Sequence, residues 1–351
     1  MSKYYIGVDL HKTVAQVCVL DETGEVAREW RASLETNEEG TALLDDLSGY
    51  QKPSRIAVEA IGCNRWFVNG AQAMNLDVIV VHPAALKLKE SGRKTDRRDA
   101  AEIARRLYLG DLDRHGRSYY PTETEYGARK LLRMRHATKK ALGRMTNQIR
   151  ALLNAYLMRP PTKVLLTKAS LAWLRKVELP TPELTFTLRV FLSQVRHTMR
   201  LLKRIKKQVE DLAREPKVAG LTEQLPFAGV LTTATIFYEL GDVGRFHRTR
   251  EVSSYAGIVP RVSQSGEGAA HHGRLDKRGN PELRWILSQW AVRLIARVPL
   301  VHAWAMQHRR RKPMNKIRMA LARRLLIGVY HTLRTGEAFS LARCLNVEVA
   351  A

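Results

Sequence analysis

Four acidic residues in the N-terminal third of the chain stand where they could hold a metal ion. Asp9 ends one short apolar run and Glu59 ends another. Both runs predict buried strands, and if these strands are neighbours in one sheet, both carboxylates emerge at the same edge. Asp96 and Asp99 are three positions apart in a predicted helix, so they share one helix face.

Such a set of side chains suits a hard divalent cation. A carboxylate at the end of a buried strand is costly to desolvate unless something pairs with it. Oxygen ligands without His or Cys favour Mg²⁺, with Mn²⁺ as the second possibility. The residues alone leave an ordinary structural role open. Asp9 would then be a turn or capping residue, and Asp96 and Asp99 would favour a helix N-terminus and pair with Arg97, Arg98 or Arg93.

The elements that must position these acids follow a recognisable order. The strand that ends at Asp9, together with runs at Val14–Leu20 and Glu25–Ala32, predicts a three-stranded meander. Further strands at Arg55–Glu59 and Asp77–Val81 alternate with helical stretches. This order predicts an RNase H-like fold, an α/β arrangement with a mixed sheet and helices on its faces.

The composition indicates an anionic partner. The chain has 351 residues, an apolar fraction of 45% and a formal net charge of +25. That surplus would repel itself unless a polyanion neutralised it, and nucleic acid is favoured over the alternative, a membrane surface. No apolar run reaches the roughly 18 residues of a spanning helix, and no signal-peptide pattern begins the chain. The isolated Cys18, Cys63 and Cys344 indicate neither a zinc site nor disulfides, so we expect a cytoplasmic protein without a membrane partner.

The middle of the chain predicts long helices. Residues 125–157 are helical in pattern and strongly basic, which is typical of contact with a nucleic-acid backbone, although an ordinary solvated face is also open. A second helix carries a heptad-like apolar seam that either pairs with the preceding helix or with another copy of the protein. The seam comprises Leu188, Leu192, Val195, Met199, Leu202, Ile205, Val209 and Leu212.

Two later stretches could approach phosphates. Leu221–Leu240 reads as two short helices around Pro226–Gly229, either a phosphate-binding helical hairpin or a plain one, with Phe227 where that motif prefers glycine. Between Tyr255 and Asn280, glycines and hydroxyls stand beside cations, which predicts a loop whose backbone can approach a phosphate closely. Asn280 and the proline after it predict a helix start.

The motifs together resemble those of the DEDD transposases of the insertion-sequence one-ten family, described as bridge-RNA-guided recombinases. The resemblance covers nearly the whole chain. It rests on Gly7-Val8-Asp9, Glu59-Ala60-Ile61-Gly62, Lys94 to Ala100, Tyr255–Pro260, Ser265-Gly266 and Gly273–Asn280.

The resemblance implies three domains and a set of site residues. These are a RuvC-like catalytic domain (1–115), a basic helical linker and coiled coil (125–215) and a mainly helical transposase domain (220–345). Asp9, Glu59, Asp96 and Asp99 would be catalytic metal ligands. A nucleophilic serine is implied at Ser265, with Ser263 as the fallback, and nucleic-acid contacts are expected at Lys94, Arg274, Lys277 and Arg278.

The resemblance also implies the reaction and the partners. We expect Mg²⁺-dependent cleavage and exchange of donor and target DNA strands through a covalent phosphoserine, guided by a non-coding bridge RNA. A homodimer that assembles into a tetramer in a prokaryotic cytoplasm is expected. Two alternatives remain: a RuvC-like nuclease that uses water as nucleophile, and a nucleic-acid-binding protein without catalysis.

Overall fold

A computed structural model describes residues 3–82, 96–263, 271–275 and 278–347, with the backbone alone at 114, 115, 261–263 and 271–274. The chain divides into two compact units, Met1–Tyr120 and Pro121–Ala351. The three domain boundaries expected from the sequence stay predictions.

A mixed five-stranded sheet forms the centre of the first unit. Its order is β3-β2-β1-β4-β5, with β1 antiparallel to β2 and parallel to β4. The predicted mixed sheet is therefore confirmed, with each strand within one residue of its expected position. The strands are β1 (Tyr5–Leu10), β2 (Val14–Leu20), β3 (Val26–Ser33), β4 (Arg55–Glu59) and β5 (Asp77–Val81).

Helices cover both faces of this sheet, because its central strands are apolar on both sides. The helices are α1 (Asn37–Ser48), α2 (Arg65–Ala73), α3 (Asp96–Tyr108) and the short α4 (Asp111–His115). One face packs Ile6, Val8 and Val58 against α1 and α2. The other face packs Ala57 and Ile79 against α3.

A glycine allows α3 to lie directly on β1. A Cβ at Gly7 would be 2.1 Å from the carbonyl oxygen of Ala100 and 2.4 Å from the amide nitrogen of Ala104. Only a residue without a side chain fits at such a backbone approach. The first turn of α3, which carries Asp96 and Asp99, is thereby held near the end of β1.

The second unit is mainly helical in its described residues. It also contains a two-stranded antiparallel ribbon, in which Pro260 pairs with Leu275 and Ser263 with His271. The elements are α5 (Glu123–Ala155), α6 (Lys168–Leu174), α7 (Pro182–Leu212), α8 (Pro216–Gln224), α9 (Val230–Leu240), α10 (Thr249–Tyr255), β6 (Pro260–Ser263), β7 (His271–Leu275), α11 (Pro281–Arg297), α12 (Pro299–Arg309), α13 (Met314–Thr335) and α14 (Leu341–Leu345).

Helices α5 and α7 form a long antiparallel hairpin. Near its tip, Leu188 and Leu192 share a core with Ile149 and Leu153 of α5. At the other end, the last turns of α7 pack against the first turns of α5. The apolar seam of α7 is therefore buried against the preceding helix of the same chain, which is the first of the two pairings that the sequence left open.

The remaining helices enclose a separate core around Trp290, whose indole nitrogen donates to the carbonyl of Pro226 at 2.9 Å. In the turn between α8 and α9, Phe227 has a φ of 56° and its side chain is exposed. That left-handed conformation is the one that glycine adopts most easily, which explains why the related motif prefers glycine there. Among the described helices, none combines the length and the apolar character that a membrane span requires.

Candidate active site

The end of β1 gathers three side chains with metal-binding atoms. Asp9 is buried, with 8% of its side chain exposed, and its Oδ2 lies 3.2 Å from His11 Nε2. The same ring nitrogen lies 3.5 Å from Oδ1 of Asp96, at the start of α3. The ligand atoms of Asp9, His11 and Asp96 all lie within 4.8 Å of one another. Two of the predicted carboxylates thus meet at one point.

The electrostatic environment of Asp9 is unfavourable for its charge. Burial raises the pKa of Asp9 above its ordinary value, and the charges of Asp99 and Asp96 raise it further, while His11 opposes these effects. Asp99 is therefore close enough for its carboxylate to repel that of Asp9. Carboxylates that crowd in this way are stabilised when a cation lies among them.

Strand register gives the position of Glu59. Val8 of β1 pairs with Val58 of the parallel strand β4, so the next residues, Asp9 and Glu59, follow on the same face and at the same edge of the sheet. Asn64 donates its side-chain amide to the carbonyl of Glu59 at 2.9 Å, which fixes the end of β4. Among the described residues, Glu59 and Asp99 are not members of the close group of Asp9, His11 and Asp96.

His11 is the member that sequence reasoning missed. It lies two residues after Asp9, so the alternation of an extended chain places both side chains on one side, and this spacing was the available signal. Imidazole is a less usual ligand than oxygen for Mg²⁺. The contact with the Asp9 carboxylate fits a residue that orients a metal ligand through a hydrogen bond.

In the second unit, the buried residue Glu239 is hydrogen-bonded to both ends of the glycine-rich stretch between Tyr255 and Asn280. The side chain of Glu239 is fully buried and accepts two hydrogen bonds from Arg133, at 2.8 and 2.7 Å. It also accepts the side-chain amide of Asn280 at 2.7 Å, and its backbone carbonyl accepts the hydroxyl of Tyr255 at 2.9 Å. Tyr255 and Asn280 bracket the stretch, and the Asn280 amide donates to the Tyr255 carbonyl at 2.7 Å. Glu239 therefore fixes both ends of the segment.

The residues predicted within that stretch are described only in part. Ser265 and Lys277 lie outside the described residues, as does Lys94 in the first unit. Ser263 lies in β6 and Arg274 in β7, where the backbone alone is described. Arg278 is exposed in the turn before α11. The stretch predicted as a loop therefore contains a β-ribbon, whose strands are too short for a periodicity of their own.

Some basic side chains of α5 make contacts within the protein. Arg129 is 8% exposed, and its Nε donates to the carbonyl of Tyr238 at 2.7 Å. His136 pairs with Glu282 and stacks on Trp285, with ring centroids 4.0 Å apart. The expectation that the basic residues of 125–157 contact a nucleic-acid backbone therefore does not extend to Arg129, because that residue lies on the buried stripe of α5.

Two family models and several known proteins are similar in sequence to this chain. Residues 6–158 match the family model of the DEDD transposase of IS110, and residues 220–309 match the transposase family IS116/IS110/IS902. The transposase for insertion sequence element IS1111A of Coxiella burnetii is 26% identical over 90% of this chain and 86% of its own length. The transposase for IS1533 of Leptospira borgpetersenii is 25% identical over 72% of this chain and 74% of its own length.

These matches cover both units in the order in which the motifs occur. The first contains the β1, β4 and α3 carboxylates, and the second contains Glu239 and the glycine-rich stretch with its flanking helices. The chain belongs to the IS110 family of DEDD transposases.

Proposed function

We propose that this transposase cleaves and rejoins DNA strands by metal-assisted phosphoryl transfer, with Asp9, Glu59, Asp96 and Asp99 as the carboxylates and Ser265 as the nucleophile. The observation that carries the proposal is the meeting of Asp9 and Asp96 beside β1, with Asp99 near enough to raise the pKa of Asp9. Crowded acids on a rigid strand and helix are what an RNase H-like nuclease centre requires.

The donor set fits a divalent cation. Asp9 lies in a buried position, Asp96 is more exposed, and Glu59 follows in register on the same sheet face. Mg²⁺, or Mn²⁺ as the second candidate, would when bound offset the negative charge of phosphate oxygens in the transition state. His11 would hold the Asp9 carboxylate in its orientation.

The covalent step uses the chain's own hydroxyl. The oxygen of Ser265 forms a bond to phosphorus, the bond from phosphorus to a deoxyribose oxygen breaks, and the serine proton is transferred to a base while the leaving oxygen becomes a hydroxyl. A hydroxyl of the partner strand then displaces Ser265, which restores the serine and joins the strands. Arg274, Lys277 and Arg278 would hold the phosphate, and Lys94 would contact nucleic acid near the carboxylates.

Guidance by a non-coding bridge RNA and assembly of homodimers into a tetramer are part of the same proposal. The net charge of +25 supports binding of more than one nucleic-acid strand. The RNA is tested by sequencing the RNA that copurifies with the protein from its native host. One defined transcript encoded beside the gene would support guidance, and recovery of only random fragments would contradict it.

The chemistry is tested by trapping the protein–DNA adduct. Labelled donor DNA, the copurified RNA and Mg²⁺ are mixed with wild type, Ser265→Ala or Ser263→Ala, and adducts are separated under denaturing conditions. The proposal expects an adduct with wild type and Ser263→Ala and none with Ser265→Ala. Cleavage by Ser265→Ala at the wild-type rate would instead indicate a nuclease that uses water. Asp9→Asn should abolish both cleavage and adduct, and intact recombination by Asp9→Asn would contradict the role of the carboxylates.

A further inference from the structure

The outer face of α7 carries a row of positive charges that the proposed chemistry does not use. We call it the α7 stripe. Its residues recur at helical spacing on the side opposite the buried seam, and every one is exposed. The α7 stripe comprises Arg196, Arg200, Lys203, Arg204 and Lys207.

Among the described residues, no acidic side chain pairs with a cation of the α7 stripe. Neighbouring cations do have partners: Lys206 pairs with Glu210 at 3.3 Å and Arg214 with Asp211 at 3.1 Å. Residues 184–209 contain no acidic residue, and within the described part of the chain none of the five stripe residues forms an ion pair. Like charges at this spacing on a helix destabilise it, so the arrangement indicates a partner that supplies the opposite charge.

The shape of the stripe fits a double helix better than a single strand. It spans about 17 Å along the helix axis, since a helix rises about 1.5 Å per residue. Single-strand binding surfaces combine cations with aromatic rings on which bases stack. No Phe, Tyr or Trp occurs in residues 192–212, so this face offers charge to a phosphate backbone and lacks the Phe, Tyr and Trp rings on which the bases of a single strand commonly stack.

We propose that the α7 stripe binds the phosphate backbone of double-helical nucleic acid, independently of sequence. The site lies between the segments matched by the two family models, 6–158 and 220–309, and is separate in the chain from the carboxylates and the glycine-rich stretch. This proposal rests on the proposed function only in assuming that the transposase acts on double-helical nucleic acid. The role of the α7 stripe is to hold a duplex during the reaction.

The test measures how duplex binding depends on salt. The full-length variant Arg200→Gln/Lys203→Gln/Lys207→Gln is compared with Lys206→Gln/Arg214→Gln/Arg343→Gln. The control removes the same charge from ion-paired positions, Arg343 being paired with Glu337. Binding of a fluorescent duplex of arbitrary sequence is followed by anisotropy in EDTA, so that cleavage plays no part.

For the stripe variant, the slope of log K against log salt should become shallower by about 2 to 3, because each lost phosphate contact contributes about 0.9. The control should keep the wild-type slope. Equal slopes for the two variants, or an equal loss of single-strand and duplex binding, would overturn the proposal. Because the assay needs no divalent ion and no Ser265, its failure is distinct from failure of the proposed chemistry. An unchanged melting temperature shows that the variants fold.

Discussion

Substitution of Gly7 by alanine tests how the fold brings the acids together. The new Cβ would lie 2.1 Å from the carbonyl oxygen of Ala100 and 2.4 Å from the nitrogen of Ala104, where an ordinary contact needs at least 3.4 Å. Both clashing atoms belong to the backbone of α3, so a side-chain rotation cannot relieve them. Helix α3 must move away from β1 by about 1 Å, and such overpacking costs about 1–3 kcal/mol or more.

The movement carries Asp96 with it, because that residue lies in the first turn of α3. We expect Gly7→Ala to lower the melting temperature and to weaken metal binding about tenfold, although no ligand is changed. The assay is thermal unfolding with and without Mn²⁺. The rise in melting temperature that Mn²⁺ produces in wild type should shrink in the variant.

Gly49→Ala is the matched control. Gly49 has a φ of −64°, and the nearest atom to its Cβ would be the carbonyl oxygen of Asp46 at 3.9 Å. This substitution should leave both measurements unchanged. If Gly7→Ala matched Gly49→Ala in stability and in its response to Mn²⁺, the argument that contact between β1 and α3 sets the site would be wrong.

Two further predictions concern buried charges. The raised pKa of Asp9 means that its ionised form costs folding stability; the cost is absent below its ordinary pKa and appears as pH rises through the raised value. Asp9→Asn should therefore raise the melting temperature of the metal-free protein at neutral pH. This gain in melting temperature should disappear on acidification. A lower melting temperature of Asp9→Asn than of wild type at neutral pH would contradict the prediction. Arg133→Met leaves the carboxylate of Glu239 buried with Asn280 as its one remaining side-chain donor among the described residues, and should cost about 3 kcal/mol in chemical unfolding. The double variant Arg133→Met/Glu239→Gln should recover most of that loss, and if it were no more stable than Arg133→Met, the stranded charge would not be the cause.

The sheet was predictable because four of its five strands, all except β3, are short apolar runs with clear ends. The apolar runs that identify β1 and β4 also indicate that Asp9 and Glu59 follow at one edge if the two strands are neighbours, and the register of Val8 with Val58 agrees. The apolar seam of α7 was also predictable from the sequence, but the spacing of its apolar residues does not determine which helix packs against it. That choice depends on which apolar face lies nearby in three dimensions, here the face of α5.

Other features depend on contacts between residues far apart in sequence. The ion pair of Arg133 with Glu239 joins positions 106 residues apart, and no local pattern distinguishes this arginine from the exposed cations around it. His11 was not predicted as a member of the site because the metal-site hypothesis rested on carboxylates alone. The N-cap of α1 is Thr36, since Thr36 and Glu39 form a reciprocal capping box.

The central claim is that Asp9 and Asp96 hold a divalent ion at the end of β1. The most direct measurement is titration of Mn²⁺ into the metal-free protein, with free Mn²⁺ followed by electron paramagnetic resonance. Wild type and the control Asp45→Asn, changed at an exposed residue of α1, should bind the ion equally. Asp9→Asn and Asp96→Asn should each weaken binding by about tenfold or more. Undiminished binding by both variants would contradict the account.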